Sequence, residues 1–293
     1  MTQDSSGADL TGLAVPLSDE EQAVVARITG GQWSKYARVA MAALSSLPWV
    51  GIVMNAATTL AQENSQDSSY RAMYWWVKVH EDKLREVAGS LQEMFERFES
   101  FGDGVEERVN SEEYMSLVRK TFTQWDHAET DEKKQMLRKL ITNAGGLNIA
   151  QDDLVRMFLD WIDRYHEFHF SVIGEVYKQP GITRREIWTN LRGSVPRDDS
   201  EEADLFRLLL HDLSTGRVIR QHRETDALGH FVKQQPQRRS TGQSSSVYES
   251  AFEATKPYVL TELGKQFVHY VLTDLATPLT QAKASPSPPA SSE

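Results

Sequence analysis

There is no cysteine among the 293 residues. That absence excludes disulfides, thiolate nucleophiles and cysteine metal sites together, and it fits a reducing compartment. The signatures of nucleotide and acyl chemistry are missing as well: there is no P-loop, no GxGxxG and no GxSxG elbow. The opening residues, MTQDSSGADLTG, lack the basic start and apolar core of a secretory signal. The expectation is a cytoplasmic, non-enzymatic protein, with or without a peripheral hold on the inner membrane, that needs no cofactor. Positive charge is in short supply too, with 42 acidic against 32 basic side chains and a net charge of -10. The deficit is local. Between Glu81 and Glu132 there are 15 acidic and 6 basic residues, so that region repels nucleic acid and anionic lipid.

What the chain does contain is one long uncharged run, Val39 to Ala61, VAMAALSSLPWVGIVMNAATTLA. Its 23 residues match the length of a membrane span, which needs roughly 20 apolar residues. Its texture argues for something shorter. Ser45, Ser46, Asn55, Thr58 and Thr59 are polar, and Pro48 removes a backbone donor and favours starting a new helix. The reading is a helical hairpin over 34–61, with helices Ser34 to Ser46 and Pro48 to Ala61. Val39, Leu44, Leu47, Trp49, Val50, Ile52, Val53 and Leu60 carry its apolar surface. Two fates stay open: burial in a helical core, or insertion into a bilayer with Trp33, Lys35, Arg38 and Trp49 as interface anchors.

The rest of the first half has helical periodicity. Ser18-Asp19-Glu20-Glu21 is a capping box. A long helix from Tyr70 to Phe101 sets Met73, Val77, His80, Leu84, Val87, Leu91, Met94, Phe98 and Phe101 at alternating steps of four and three. That is a heptad seam, which must pack on another helix within the chain or in a partner. Gly102-Asp103-Gly104 ends it. Ser111 and Thr130 are read as caps of two further helices, the second ending at Gly145-Gly146 with Leu137, Leu140, Ile141 and Ala144 inward. From Gln151 one more long helix is expected, carrying Leu154, Phe158, Trp161, Tyr165, Phe168 and Val172 and finishing near Lys178. The fold class is therefore mainly α, a multi-helix bundle over 18–165 after a polar tail, 1–17, expected to be disordered.

The character changes over 166–275. Thr183-Arg184-Arg185-Glu186 is a second capping box, and Ser200 opens a helix through Leu205, Leu208, Leu209 and Leu213. Residues 217–222 alternate like a strand, 233–250 are Gln/Ser-rich, and Tyr258-Val259-Leu260 reads as a second strand before a helix capped by Thr261. The order predicts a small winged-helix-like α+β domain, and YVLTELGKQFVHYV resembles the closing strand and helix of bacterial winged-helix domains. Residues 276–293 form a Pro/Ser-rich tail expected to be disordered.

Taken with the apolar hairpin, the long acidic helix and the helix pair around Glu132-Lys133-Lys134 to Asn143-Ala144, the chain resembles a loose group of bacterial helical proteins, some of them abortive-infection (Abi-alpha-type) proteins. The resemblance implies an adaptor or effector in phage defence or stress response, and it carries over no site residues. Two surfaces bear on partners. Arg217, Arg220, Arg223, Lys233, Arg238 and Arg239 against Glu224 and Asp226 make the hairpin after the third helix basic. It would contact either DNA phosphates or an acidic protein partner. The third helix itself carries Glu201, Glu202, Asp204 and Asp212 against Arg207, which disfavours phosphate. A protein partner or self-association is the leading expectation, with DNA binding as the alternative and membrane contact through the hairpin as an addition. Asp163, His166 and His169 share a helical spacing that suits a metal, but a packed polar face is the simpler reading.

Overall fold

The computed structural model describes residues 31–50, 68–102, 104–146, 151–222 and 250–272. The heptad seam of the sequence lies on helix α2, Ser68–Phe101, which follows α1, Ala37–Ser45, and the side chains of Met73 and Val77 lie outside the described residues. Leu84, Val87, Leu91, Met94 and Phe98 are buried along it, joined by Phe95. α2 packs on α5, Asp131–Gly146, within the chain. Lys134 binds Glu86 at 2.9 Å and Arg138 binds Glu93 beside that contact. Gly145 and Gly146 do more than stop α5. A Cβ on Gly146 would lie 1.9 Å from the Phe101 ring, so the last turn of α5 needs glycine to meet the end of α2.

A short helix that the periodicity does not announce, α3, Val105–Val109, bridges the glycine break. Arg108 on it forms an ion pair with Asp152 and donates to the Ala144 carbonyl, tying three segments together. Helix α4, Glu112–His127, begins at Ser111, whose Oγ accepts from the Tyr114 amide at 3.3 Å. Tyr114 then donates its hydroxyl to the Ile141 carbonyl at 2.9 Å. Burial pushes that phenol far above its ordinary range.

The described half of the apolar hairpin is core. α1 lies on α4, and Val39, Leu44, Leu47, Trp49 and Val50 are all buried. The Trp49 indole donates to Asp126 Oδ1 at 2.9 Å, and Lys83 reaches the same oxygen at 3.2 Å. A buried indole that finds its partner inside the protein is fully satisfied there. Ile52, Val53 and Leu60 lie outside the described residues. Among those described, no helix is long and apolar enough to cross a membrane.

The long helix expected from Gln151 is two helices. α6, Asp152–Arg164, ends before Tyr165, and α7, Glu167–Lys178, starts after it. His166 is extended (φ -92°, ψ 168°) and caps α7, donating its amide to His169 Nδ1 at 3.1 Å. The regular spacing concealed the break because each helix continues the same apolar rhythm. The buried set also shifts: Val155, Phe158, Leu159, Trp161 and Ile162 are core, whereas Leu154 and Phe168 are half-exposed.

The chain divides into two compact units after Asp163. The second contains α7, strand β1 (Ile182–Thr183), α8 (Arg184–Arg192), α9 (Glu201–Thr215), β2 (Ile219–Gln221), β3 (Pro257–Leu260) and α10 (Glu262–Val271). Its antiparallel sheet has the order β1-β3-β2, with Ile182 opposite Tyr258 and Arg220 opposite Val259. Strand β1, only two residues long, has no periodicity to reveal it. Local caps set the helix starts: the Thr183 and Glu186 pair closes a reciprocal box, Ser200 accepts from Ala203, and Thr261 accepts from Gly264. The core is aromatic, with Trp188 5.3 Å from Phe206 and 5.2 Å from Phe252, ring centre to ring centre. Gly264 lets α10 approach the chain just before β2, because a Cβ there would sit 2.1 Å from the Val218 carbonyl oxygen.

Candidate functional site

The second unit carries a groove of about 740 Å³ between the later turns of α9 and the sheet. Its floor and walls come from four elements, because the sheet order brings the start of α8 next to the middle of β3. Arg184, the first residue of α8, donates from Nε and Nη2 to the Tyr258 hydroxyl at 2.9 and 2.7 Å. Its guanidinium lies 5.5 Å from the Tyr258 ring centre. The Gln221 amide approaches the same hydroxyl at 3.4 Å. A guanidinium laid on a ring and hydrogen-bonded to it is pinned in a single orientation.

On the opposite wall Arg207 is neutralised. It reaches Asp204 at 2.8 Å and the Asp198 carboxylate at 3.3 Å. Arg217 follows the end of α9 with φ 59°, and it is the one residue other than glycine with a positive φ among those described. Its amide donates to the Ser214 carbonyl, and its own carbonyl accepts from the Thr261 hydroxyl. The side chain is exposed and makes no ion pair among the described residues. Arg220, half-buried on β2, completes the lining together with Leu208 and His211 from α9. Four arginines and a histidine face the groove, and no carboxylate is among its described lining residues.

The outer face of α9 has a different character. Glu201, Glu202 and Asp204 are exposed in its first turn, and Leu205 and Leu208 follow at 45% and 55% exposure. Exposed leucines one turn apart, next to an open groove, are surface that a folded protein ordinarily covers.

The structure thus gathers Arg217 and Arg220 of the expected basic surface into one site. Arg223, Lys233, Arg238 and Arg239 lie outside the described residues. Arg184 and Tyr258 were missed as site residues. In sequence they read as a capping-box neighbour and a strand residue, and only the pairing of β1 with β3 puts them together. The spacing that suits a metal does not assemble a site. His169 is buried at 4% exposure, with its Nδ1 occupied by the His166 amide and its ring stacked on Tyr165 at 5.0 Å. Burial holds that imidazole below its ordinary pKa, against the pull of Asp212, whose carboxylate lies 3.7 Å from Nε2. Among the described residues no group of three or more His, Asp or Glu side chains is placed to hold a metal ion.

No protein-family model, no curated protein and no solved structure matches the chain.

Proposed function

We propose that the chain is a non-enzymatic adaptor or effector whose second unit is a winged-helix-like module that docks a protein partner. The order of α7, β1, α8, α9, β2, β3 and α10, with the sheet running β1-β3-β2, supports the winged-helix reading. In that arrangement α9 is the helix that would enter the major groove of DNA. The observation that carries the proposal is its outer face, where exposed Leu205 and Leu208 follow Glu201, Glu202 and Asp204. Carboxylates set against phosphates are repelled. Exposed leucines gain nothing from a sugar-phosphate edge, but they fit an apolar partner surface. A part in bacterial defence or stress response follows from the resemblance to abortive-infection proteins, with the helical bundle as the body to which the module is attached.

The second reading is a DNA-binding regulator. Its support is the arginine lining of the groove, Arg184, Arg217 and Arg220. A photo-crosslinking residue placed at position 208 of the full chain separates the two in cells. The docking proposal expects adducts that protease removes and nuclease leaves. Adducts removed by nuclease, together with a DNA gel shift abolished by Arg217→Ala and Arg220→Ala, would overturn it.

A further inference from the structure

We infer that the outer face of α9 docks a basic amphipathic helix of a partner protein. The partner lays its apolar stripe on Leu205 and Leu208 and its cations on Glu201 and Asp212. The inference rests on the protein-docking reading of this unit and names the chemistry of what docks.

Glu201, Leu205, Leu208 and Asp212 follow one another along α9 at steps of four, three and four. At 3.6 residues per turn they share one stripe, about 60° wide. The buried residues Ala203, Phe206, Leu209, Leu210 and Leu213 hold the opposite side of the helix. A surface helix ordinarily keeps the stripe away from its core polar. Here its centre is two exposed leucines. Their rhythm is the one by which a helix meets a second helix laid along it. Of the four, Leu208 alone also lines the groove.

The two ends of the stripe carry carboxylates without a cation. Glu201 is exposed and forms no ion pair among the described residues. Asp212 faces His169 at 3.7 Å, beyond hydrogen-bond reach. Burial holds that imidazole below its ordinary pKa, so it is uncharged at neutral pH. Asp204, beside the stripe, differs: it is already paired with Arg207 at 2.8 Å. Glu201 suits the positive end of its own helix. Asp212 stands where the last turn begins, and there the helix dipole disfavours a carboxylate. The fold of α9 by itself gives no reason for an acid at that position.

A helix with an apolar stripe between lysines or arginines matches both features, covering the leucines and supplying a cation to each end. The other occupants meet repulsion. DNA and an anionic bilayer bring phosphates to the same carboxylates. A second copy of α9 laid antiparallel, with Leu205 on Leu208 of the other copy, sets Glu201 opposite Asp212. Laid parallel, it sets Glu201 opposite Glu201. Both arrangements oppose like charges.

The test uses full-length protein and three fluorescein-labelled helical peptides read by anisotropy. The first carries a leucine stripe at steps of four and three, flanked by lysines. The second keeps that composition with the leucines scattered around the helix. The third has glutamate in place of lysine. The first is expected to bind, more weakly as salt rises, and the other two to bind about tenfold more weakly or not at all. Leu208→Glu should weaken the first peptide about tenfold, and Glu201→Gln about threefold. Both positions are exposed, and thermal melts check that each variant keeps its fold. If the first peptide binds and neither variant changes its affinity, the α9 assignment falls and the docking reading survives. If the scattered or the glutamate peptide binds as tightly as the first, or if none binds, the inference falls and the crosslink at position 208 still decides the docking reading. If sedimentation shows self-association that Leu208→Glu abolishes, a second copy covers the face and the inference falls alone. If nuclease removes the adducts at position 208, both fall.

Discussion

Two single residues show how tightly backbone and charge are set in the second unit. Gly264 passes under the Val218 carbonyl, and backbone cannot swing aside as a side-chain tip does. Gly264→Ala is therefore expected to destabilise the protein by about 3 kcal/mol, the upper part of the overpacking range. Urea unfolding measures it, and an unchanged midpoint would show that α10 slides away at no cost. His169 makes the second case. Its neutral ring accepts from the His166 amide at Nδ1 and so carries its proton on Nε2, and burial keeps its pKa below the ordinary 6.5. His269 is depressed by burial in the same way. As pH falls below about 6.5 the unfolded chain takes up protons that the folded chain refuses, so stability drops with acidification and is level above that point. Urea midpoints measured from about pH 7.5 down to about 5 should decline, and His169→Gln should flatten part of the slope.

Elements fail at their ends and at their buried faces. Helix α8 starts from the reciprocal Thr183 and Glu186 pair, in which Glu186 accepts the Thr183 amide at 2.8 Å. Thr183→Ala removes one half of that cap and is expected to cost about 1 kcal/mol. The same change should loosen Arg184, the next residue, and weaken any ligand of the groove. α1 is decided by its buried face. Val39 is fully buried, so Val39→Asp places an unpaired carboxylate in the core. The variant is expected to be insoluble or to lose its cooperative melt. A Val39→Asp protein that melts like the parent would remove α1 from the core.

At the scale of the whole molecule, the hairpin and the two units set the remaining expectations. In liposome flotation the parent protein should stay at the bottom of the gradient, because Leu47, Trp49 and Val50 are already buried and the Trp49 indole is bonded to Asp126. Flotation would show that the hairpin leaves the bundle for a bilayer. Residues 164–273 enclose their own aromatic core of Trp188, Phe206 and Phe252 and their own sheet. Expressed alone, that segment is expected to unfold in one cooperative transition, followed by tryptophan fluorescence.

Much of this was legible in the sequence, because its signals act over a few residues. The caps at Ser111, Thr183, Ser200 and Thr261 bond to amides three positions away. The 4-3 spacing of α2 needs only one helix to define its buried stripe. Tertiary structure alone decided what depends on distant chain. The described part of the seam, Leu84 to Phe98, is buried along the helix that packs on α5. The regular spacing from Gln151 did not reveal that the helix breaks at Tyr165. Phe252 joined the aromatic cluster from a stretch with no periodicity. Gly146 and Gly264 became indispensable only when Phe101 and the Val218 carbonyl came up against them. The groove is the clearest instance, since Arg184 and Tyr258 meet across 74 residues. No local preference encodes that approach. It exists because β1 pairs with β3, and such pairing is settled by the burial and backbone hydrogen bonds of the assembled sheet.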